Sequence, residues 1–152
     1  MKKAGIILVI AVGLAVLAFA NFYFKGGNQQ IVIQKTAQTL KIGSVTLNIE
    51  VANTDATREQ GLSGKEGLKS DEGMLFVFDT DNYYGFWMKD MNFAIDIAWI
   101  NKDKKIIHIE SNVSPDTYPK IFSPKSPSLY VLETPAGFFE SNKIKIGDVL
   151  EF

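Results

Sequence analysis

The chain has 152 residues and a net charge of −1, from 16 basic and 17 acidic side chains. It contains no cysteine and one histidine, which excludes a thiol nucleophile, a zinc–thiolate site, a disulfide framework and a multi-histidine metal site. The basic residues form no cluster, so nucleic acid is not an expected partner. The motifs indicate no metal and no cofactor.

The first 25 residues predict a membrane anchor. Residues 4–24 carry no charge and lie between Lys3 and Lys25, and about 20 apolar residues suffice to cross the hydrocarbon core of a bilayer. Lys2 and Lys3 would stay in the cytoplasm under the positive-inside rule, and the rest of the chain would be exported. The prediction is a single-pass protein of the cell membrane with a cytoplasmic N-terminus and an extracytoplasmic C-terminal domain.

A cleaved signal peptide is the alternative interpretation of the same segment. Ala18-Phe-Ala20 has the small-x-small form that precedes a cleavage site, so the protein would be secreted after cleavage near Ala20. The apolar run continues beyond that site to an aromatic end, Tyr23-Phe24, which is typical of a membrane interface and favours the uncleaved anchor. Both interpretations export the remaining residues.

Residues 26–37 begin with Gly26-Gly-Asn-Gln-Gln30 and are predicted to form a flexible tether. Residues 38–152 are then a single domain, long enough to bury its own core. Without the three lysines of the first 25 residues, 13 basic residues stand against 17 acidic ones. The exported part therefore carries a net charge of about −4.

The first elements of the domain are predicted from alternation and capping. Residues 38–42 and 44–51 alternate apolar and polar side chains around Gly43, which predicts a β-hairpin. Thr54 can cap a short helix over residues 55–62, and this helix carries the only arginine of the chain, Arg58. Residues 73–78 form an apolar run that is typical of a strand buried on both faces.

The second half of the domain is also predicted to be mostly β. Residues 84–88 are expected to form a strand, and residues 94–100 and 105–110 a hairpin. Four prolines mark a long loop over residues 115–127, and loops of that length are often functional.

After this loop, residues 128–133 predict a strand, Thr134-Pro135 can begin a second short helix, and residues 145–152 close the chain. Together, these elements predict a mainly β domain of seven or eight short strands with two short helices. Such a set of elements is typical of a β-sandwich or an open barrel.

Seven short motifs, in this order and spacing, resemble the domain of unknown function 192, a widespread prokaryotic family. They are Arg58 with Gly61-Leu62, Gly73-Met-Leu-Phe76, Phe86-Trp-Met-Lys89, Ile95-Asp-Ile97, Asn112-Val113 with Pro115, Leu132-Glu-Thr-Pro-Ala-Gly137 and Gly147-Asp148. The resemblance covers residues 38–152. It implies a compact, mainly β domain, often exported, with no established biochemical activity. Local departures occur at Ser63, at residues 90–93 and at Ala94.

The sequence indicates no catalytic residues. The single histidine, His108, lies in an alternating segment that predicts a solvent-side position, and no nucleophile elbow is present. What stands out is a set of charged and aromatic side chains embedded in or beside apolar sequence. These candidate ligand-binding residues are Arg58, Tyr84, Trp87, Lys89, Asp96 and Glu133.

Embedded charges of this kind are seldom buried unless they are paired. Arg58 is notable because its planar fork can bind a carboxylate or phosphate at two points, as the fifteen lysines cannot. One interpretation is that Arg58 or Lys89 pairs with Asp96 or Glu133 inside the domain. The other is that these groups line a cleft with Tyr84 and Trp87 as an apolar wall.

Three functions follow from these interpretations. The first is a membrane-anchored extracytoplasmic binding or accessory domain, whose ligand is a small polar molecule, a glycan fragment or an envelope protein. The second is a glycan-acting hydrolase that uses Asp96 and Glu133, which requires the two carboxylates to face one cleft about 5 to 9.5 Å apart. The third is a purely structural envelope protein in which the charges are internal ion pairs.

Overall fold

A computed structural model of the protein describes residues 38–152. The predicted anchor and the predicted tether both lie outside the described residues. Among residues 38–152, no helix is long and apolar enough to cross a bilayer.

The domain is built from seven strands and two short α-helices. The strands are β1 (Gln38–Ile42), β2 (Val45–Ala52), β3 (Glu72–Asn82), β4 (Ile95–Ile100), β5 (Ile106–Val113), β6 (Ser128–Pro135) and β7 (Leu150–Glu151). The helices are α1 (Asp55–Gln60) and α2 (Phe138–Ser141), and a single 3-10 turn occupies Pro115–Thr117. The prediction of a mainly β domain with two short helices is therefore confirmed.

All seven strands belong to one sheet, in the order β5-β4-β6-β3-β2-β1-β7. Within it, β2 and β3 run parallel and the other neighbouring pairs run antiparallel. The sheet curls into a half-barrel whose two edges approach each other, since Lys105 bridges to Val149 and the amide of Leu150 donates to the carbonyl of Lys104. Of the two predicted architectures, the open barrel is the one adopted, because the strands form one sheet.

Local signals placed most elements correctly. Gly43 has a positive φ of 59°, as the tight turn between β1 and β2 requires, and Ile42 pairs with Val45. Thr54 is the N-cap of α1, and its hydroxyl accepts from the amide of Thr57 at 3.2 Å. The hairpin of β4 and β5 forms as predicted around residues 101–104.

Two predicted elements differ from the structure. Residues 84–88 are not a strand, because they form only one bridge, between Phe86 and Phe122. The second helix begins after Gly137 rather than at Thr134, because Thr134 and Pro135 still pair with β4 at the end of β6.

The sheet has a separate apolar cluster on each face. Successive side chains of β4 point to opposite faces and so belong to different clusters. Ala98 and Ile100 join the first cluster, and Ile97 and Trp99 join the second. The first cluster is closed by Phe138 and Phe139 of α2. The second includes Leu62, Phe76, Met88, Trp99 and Phe122, and it is covered by the connections between strands rather than by another layer of strands.

Candidate functional site

The candidate site lies on the face of the sheet that carries the second apolar cluster. Its first wall is α1, which belongs to the crossover between the parallel strands β2 and β3. Gly61 ends this helix with a φ of +48°, and a Cβ there would lie 3.3 Å from the ring of Phe76. Glycine therefore lets the chain turn directly against the Phe76 ring.

Arg58 makes three contacts, two with β3 that fix α1 to the sheet and one within α1 itself. One terminal nitrogen donates to the carbonyl of Val77 at 2.8 Å, and the other donates to Asp55 Oδ1 at 2.6 Å. The guanidinium also lies 5.3 Å from the centre of the Phe78 ring, within cation–π range. The predicted pairing of Arg58 with Asp96 or Glu133 is wrong, because its carboxylate partner is the exposed Asp55 one helical turn away.

Aromatic rings form the wall opposite α1. The Tyr84 ring stacks on Phe78 with 3.5 Å between their centres, and its hydroxyl donates to the carbonyl of Thr80 at 2.6 Å. Phe86 packs edge-on against Phe76 at 4.9 Å. The indole of Trp99, itself fully buried, donates to the Tyr84 carbonyl at 2.8 Å and so holds this segment onto the sheet.

Glu133 lies at the floor of the site, on β6. It pairs with Met74 of β3 on one side and with Ile97 of β4 on the other, so its immediate cross-strand neighbours are apolar. Its exposed fraction is 5%, and its Oε2 has no hydrogen-bond partner among residues 38–152. Burial raises the pKa of the Glu133 carboxyl from 4.5 to about 8, because the charged form is desolvated and no opposite charge compensates.

Together these elements line a pocket of about 260 Å³ that is open to solvent. Its lining joins the helix end, the aromatic wall and the buried carboxyl. The lining residues are Arg58, Glu59, Gln60, Gly61, Leu62, Ser63, Phe76, Phe78, Tyr84, Gly85, Phe86, Trp87, Met91 and Glu133. Aromatic and apolar side chains thus share the lining with polar and charged groups, and small-ligand sites combine these two kinds of group.

Asp96 lies on the other face of the sheet. It pairs with Thr134, whereas the next residue, Ile97, pairs with Glu133, and successive side chains of a strand point to opposite faces. The Asp96 carboxylate is fully buried and accepts from the amides of Asn112, Gly137 and Phe139 at 2.8, 3.0 and 3.2 Å. It joins the end of β5 to the start of α2.

This arrangement corrects three expectations. Asp96 does not share the pocket, so the structure does not bring all six predicted residues together. The carboxylate pair required by the hydrolase hypothesis is also absent, because Asp96 and Glu133 face opposite sides of one sheet. The internal ion pairs of the structural hypothesis, from Arg58 or Lys89 to these carboxylates, are not formed among the described residues.

The other predicted residues lie at or near the pocket. Trp87 lines it while remaining 52% exposed, and its ring contacts Tyr118 of the long loop at 6.1 Å. Lys89 is exposed and lines a neighbouring cleft, which shares Trp87 and Glu59 with the pocket. Arg58, Tyr84, Trp87 and Glu133 thus share one pocket, and Lys89 lies beside it.

Several residues of the pocket lining were not predicted from the sequence, among them Phe76, Phe78 and Met91. Phe76 and Phe78 lie two residues apart in a strand, which is the spacing that places two side chains on one face. That signal was available, but the identity of the face depends on pairing with β6. Met91 lies in an irregular segment, and no periodic pattern indicates it.

Neither a metal cluster nor a histidine-based site is found in the described part of the chain. No group of three or more acidic or histidine side chains there is arranged to hold a metal ion. The side chain of His108 is 17% exposed, packs 5.3 Å from the Trp99 ring and lies 3.0 Å from Glu110 Oε1. Its predicted solvent-side position is wrong, since the ring covers the buried indole.

The fold and the pocket define a half-barrel domain with an aromatic and charged site on one face. The chain belongs to the DUF192 family, described as an uncharacterized ACR, whose match spans residues 37–152. It is 29% identical over 84 residues to a UPF0127 protein of Pyrococcus furiosus, a match that covers 52% of this chain and 66% of that protein, just under two thirds of the relative's length. The predicted family is therefore confirmed.

Two crystal structures are similar to this domain. A protein of unknown function from Novosphingobium aromaticivorans is 27% identical, with a TM-score of 0.71 over 75% of this chain and 84% of that one. A Sinorhizobium meliloti protein described as a candidate transcription regulator is 33% identical, with a TM-score of 0.69 over 74% of this chain and 89% of that one.

Proposed function

We propose that this protein is a ligand-binding or accessory domain held at the outer face of the cell membrane, and that its ligand occupies the pocket between α1 and the aromatic wall. A small polar molecule or a glycan fragment fits a pocket of about 260 Å³ better than a folded protein partner does. Binding rather than catalysis is proposed, because Glu133 is the single buried carboxyl of the pocket lining and no nucleophile pairs with it.

The observation that carries this proposal is the Glu133 carboxyl. Buried polar groups in native proteins are hydrogen-bonded in the large majority of cases. Leaving one unpaired costs about 1–3 kcal/mol. A leucine at this position would be more stable than an unpaired carboxyl. Because the fold nevertheless keeps the carboxyl at the bottom of an open pocket, the partner of this group is a ligand that enters from outside.

The membrane location is supported by the sequence. Residues 4–24 have the length and composition of a spanning helix, and the positive charges precede them. An alkaline phosphatase fused after Phe152 would be active if the domain is exported and inactive if it stays in the cytoplasm. Mass spectrometry of the purified chain then distinguishes the intact anchor from cleavage near Ala20.

Binding is tested by NMR chemical-shift titration of the full-length protein in a mild non-ionic detergent. The probes are n-butylammonium, 1-butanol and butyrate, which share one hydrocarbon part, together with methyl glucoside as a glycan fragment. At least one probe should bind, and Trp87→Ala should weaken that binding at least fivefold because the indole is part of the wall. Tyr83→Ala is the matched control, since Tyr83 is an equally exposed aromatic residue outside the pocket lining.

Arg58→Lys tests the other wall. It keeps the positive charge but loses the two-point hold on Val77 and Asp55, so α1 should shift and binding should weaken. Lys89→Ala is its control, because Lys89 lines only the neighbouring cleft. Equal affinities for all four variants and the wild type, with the fold intact, would remove the pocket as the binding site.

Regulation of transcription is not proposed for this chain. In residues 38–152 acidic side chains outnumber basic ones, 17 to 12, whereas proteins that bind DNA present a basic surface to the phosphates.

A further inference from the structure

The two buried carboxyl groups of the domain differ in their hydrogen bonding. Asp96 accepts three backbone hydrogen bonds and is thereby fully accounted for within the fold. Glu133 Oε2 accepts none among residues 38–152, and its cross-strand neighbours are Met74 and Ile97. The fold therefore satisfies one carboxyl and leaves the other for a group that the described residues do not supply.

In the described part of the chain, the one cation of the pocket lining, Arg58, is paired with Asp55 and not with Glu133. Both terminal nitrogens of Arg58 are engaged, one by the Val77 carbonyl and one by Asp55, and the guanidinium is held beside the Phe78 ring. A metal ion is disfavoured as the missing partner, because no cluster of acidic or histidine ligands exists in the described residues. What the Glu133 carboxyl lacks there is a hydrogen-bond donor, and an organic ligand in the pocket can supply one.

The aromatic residues of the lining indicate which chemical class of hydrogen-bond donor the pocket would bind. Five aromatic residues line the pocket around a single buried acid: Phe76, Phe78, Tyr84, Phe86 and Trp87. Aromatic rings attract cations through their quadrupole, and cages of such rings with one carboxylate are suited to organic ammonium ions. An anionic group would meet the Glu133 carboxyl at the floor, and the one cation of the described lining, Arg58, already has Asp55 as its counter-charge.

We propose, on the basis of the binding function proposed above, that the pocket takes an organic ligand with a protonated amine. The ammonium group forms an ion pair with Glu133 at the floor, and the hydrocarbon part of the ligand packs against the aromatic wall. The amine of an amino sugar, of a polyamine or of an amino acid side chain would each supply this chemistry.

Binding of such a ligand is coupled to the release of a proton. Because burial raises the pKa of Glu133 to about 8, its carboxyl holds a proton at neutral pH in the free protein. The incoming ammonium keeps its own proton, so the carboxyl proton passes to solvent as the ion pair forms. The titratable or charged groups that share the pocket lining are Arg58 and Glu59 from α1 and Tyr84 from the opposite wall.

The affinity for an ammonium ligand must therefore depend on pH. The apparent dissociation constant is the intrinsic one divided by the fraction of protein in the binding-competent, ionised form. With the pKa of Glu133 at about 8, that fraction falls about tenfold for each unit below pH 7. Binding should strengthen from pH 6 to pH 8 and change little above pH 9.

The test titrates the full-length protein with n-butylammonium, 1-butanol and butyrate at pH 6, 7 and 8. Butylammonium is expected to bind most tightly, about tenfold more weakly at pH 6 than at pH 7. Glu133→Gln should weaken its binding at least tenfold and abolish the pH dependence. Glu66→Gln is the matched control, because it removes an exposed carboxyl that lies outside the pocket lining, and it should leave both properties unchanged.

The outcomes separate the two proposals. Binding of butanol or butyrate as tight as that of butylammonium would overturn the ammonium inference and leave a ligand-binding pocket in place. Butylammonium binding that Glu133→Gln does not weaken would also overturn the inference, since the ion would be bound elsewhere. If none of these probes nor methyl glucoside binds, both proposals fail. Should Glu133→Gln not fold, the pH dependence of the wild-type protein decides the question.

Discussion

Replacing Glu133 by glutamine should change how the stability of the domain depends on pH. The carboxyl is 95% shielded from water, and no hydrogen bond or ion pair compensates its Oε2 among residues 38–152. Glutamine has nearly the same shape as the protonated acid and does not titrate. The variant therefore removes one ionisation and little else.

The sign and the size follow from the pKa of Glu133, which burial raises from 4.5 to about 8. The folded state holds this proton more tightly than the unfolded state. Its stabilising effect is therefore complete below pH 4.5 and is lost as the pH rises towards 8. At about 1.4 kcal/mol per pKa unit, the total loss is about 5 kcal/mol, of which about 3–4 kcal/mol falls between pH 5 and pH 8.

Urea unfolding of the wild-type protein and of Glu133→Gln at pH 5, 6, 7, 8 and 9 measures this effect. The difference in the free energy of unfolding, variant minus wild type, should grow by about 1 kcal/mol or more per pH unit up to pH 8 and should level off by pH 9. Glu59→Gln should run parallel to the wild type. Parallel curves for Glu133→Gln would refute the reasoning, since they would mean that the Glu133 carboxyl ionises as it does in water.

Three further substitutions test how the site is supported. Asp96→Asn should lower the free energy of unfolding by about 2–4 kcal/mol, since the amide of Phe139 loses its acceptor at a cost of about 1–3 kcal/mol and the two bonds to the remaining oxygen lose a charged acceptor; a loss below 1 kcal/mol by urea unfolding would contradict this role. Gly73→Ala should cost about 1–3 kcal/mol, because its Cβ would lie 2.9 Å from a backbone oxygen of β6. Gly67→Ala, where a Cβ meets nothing within 4 Å, should cost clearly less, and equal costs would argue against close packing as the cause. Arg58→Lys should lower stability by about 1–2 kcal/mol, mainly through the Val77 hydrogen bond, because the partner in the ion pair is fully exposed; an unchanged melting temperature would show that the fork does not hold α1.

The local part of the fold could be predicted from the sequence, and the non-local part could not. Gly43 and the polar turn at residues 101–104 mark hairpins because turn chemistry acts over a few residues. The insertion of β6 between β4 and β3, and the parallel pairing of β2 with β3, depend on contacts between distant segments. Residues 84–88 have the composition of a strand but are covered by the long loop, so they form one bridge only.

The site shows the same division. Unusual chemistry in the sequence indicated Arg58, Trp87 and Glu133, because a lone arginine and an acid in an apolar run stand out locally. The separation of Asp96 from Glu133 was not accessible, because it depends on the pairing of Asp96 with Thr134. A register shifted by one residue would have placed both carboxylates on one face, and nothing within either strand reports that register.

The parallel pairing of β2 with β3 has a consequence for how this domain can diversify. A parallel pair cannot be closed by a tight turn, so the chain must cross over one face of the sheet before it returns. That obligatory crossover, residues 53–71, supplies one side of the pocket, while the carboxyl beneath it belongs to the rigid sheet. Under the proposed binding function, a change in the length or composition of this connection would alter one side of the pocket. The strand pairing that holds Glu133 and its apolar neighbours would be unaffected.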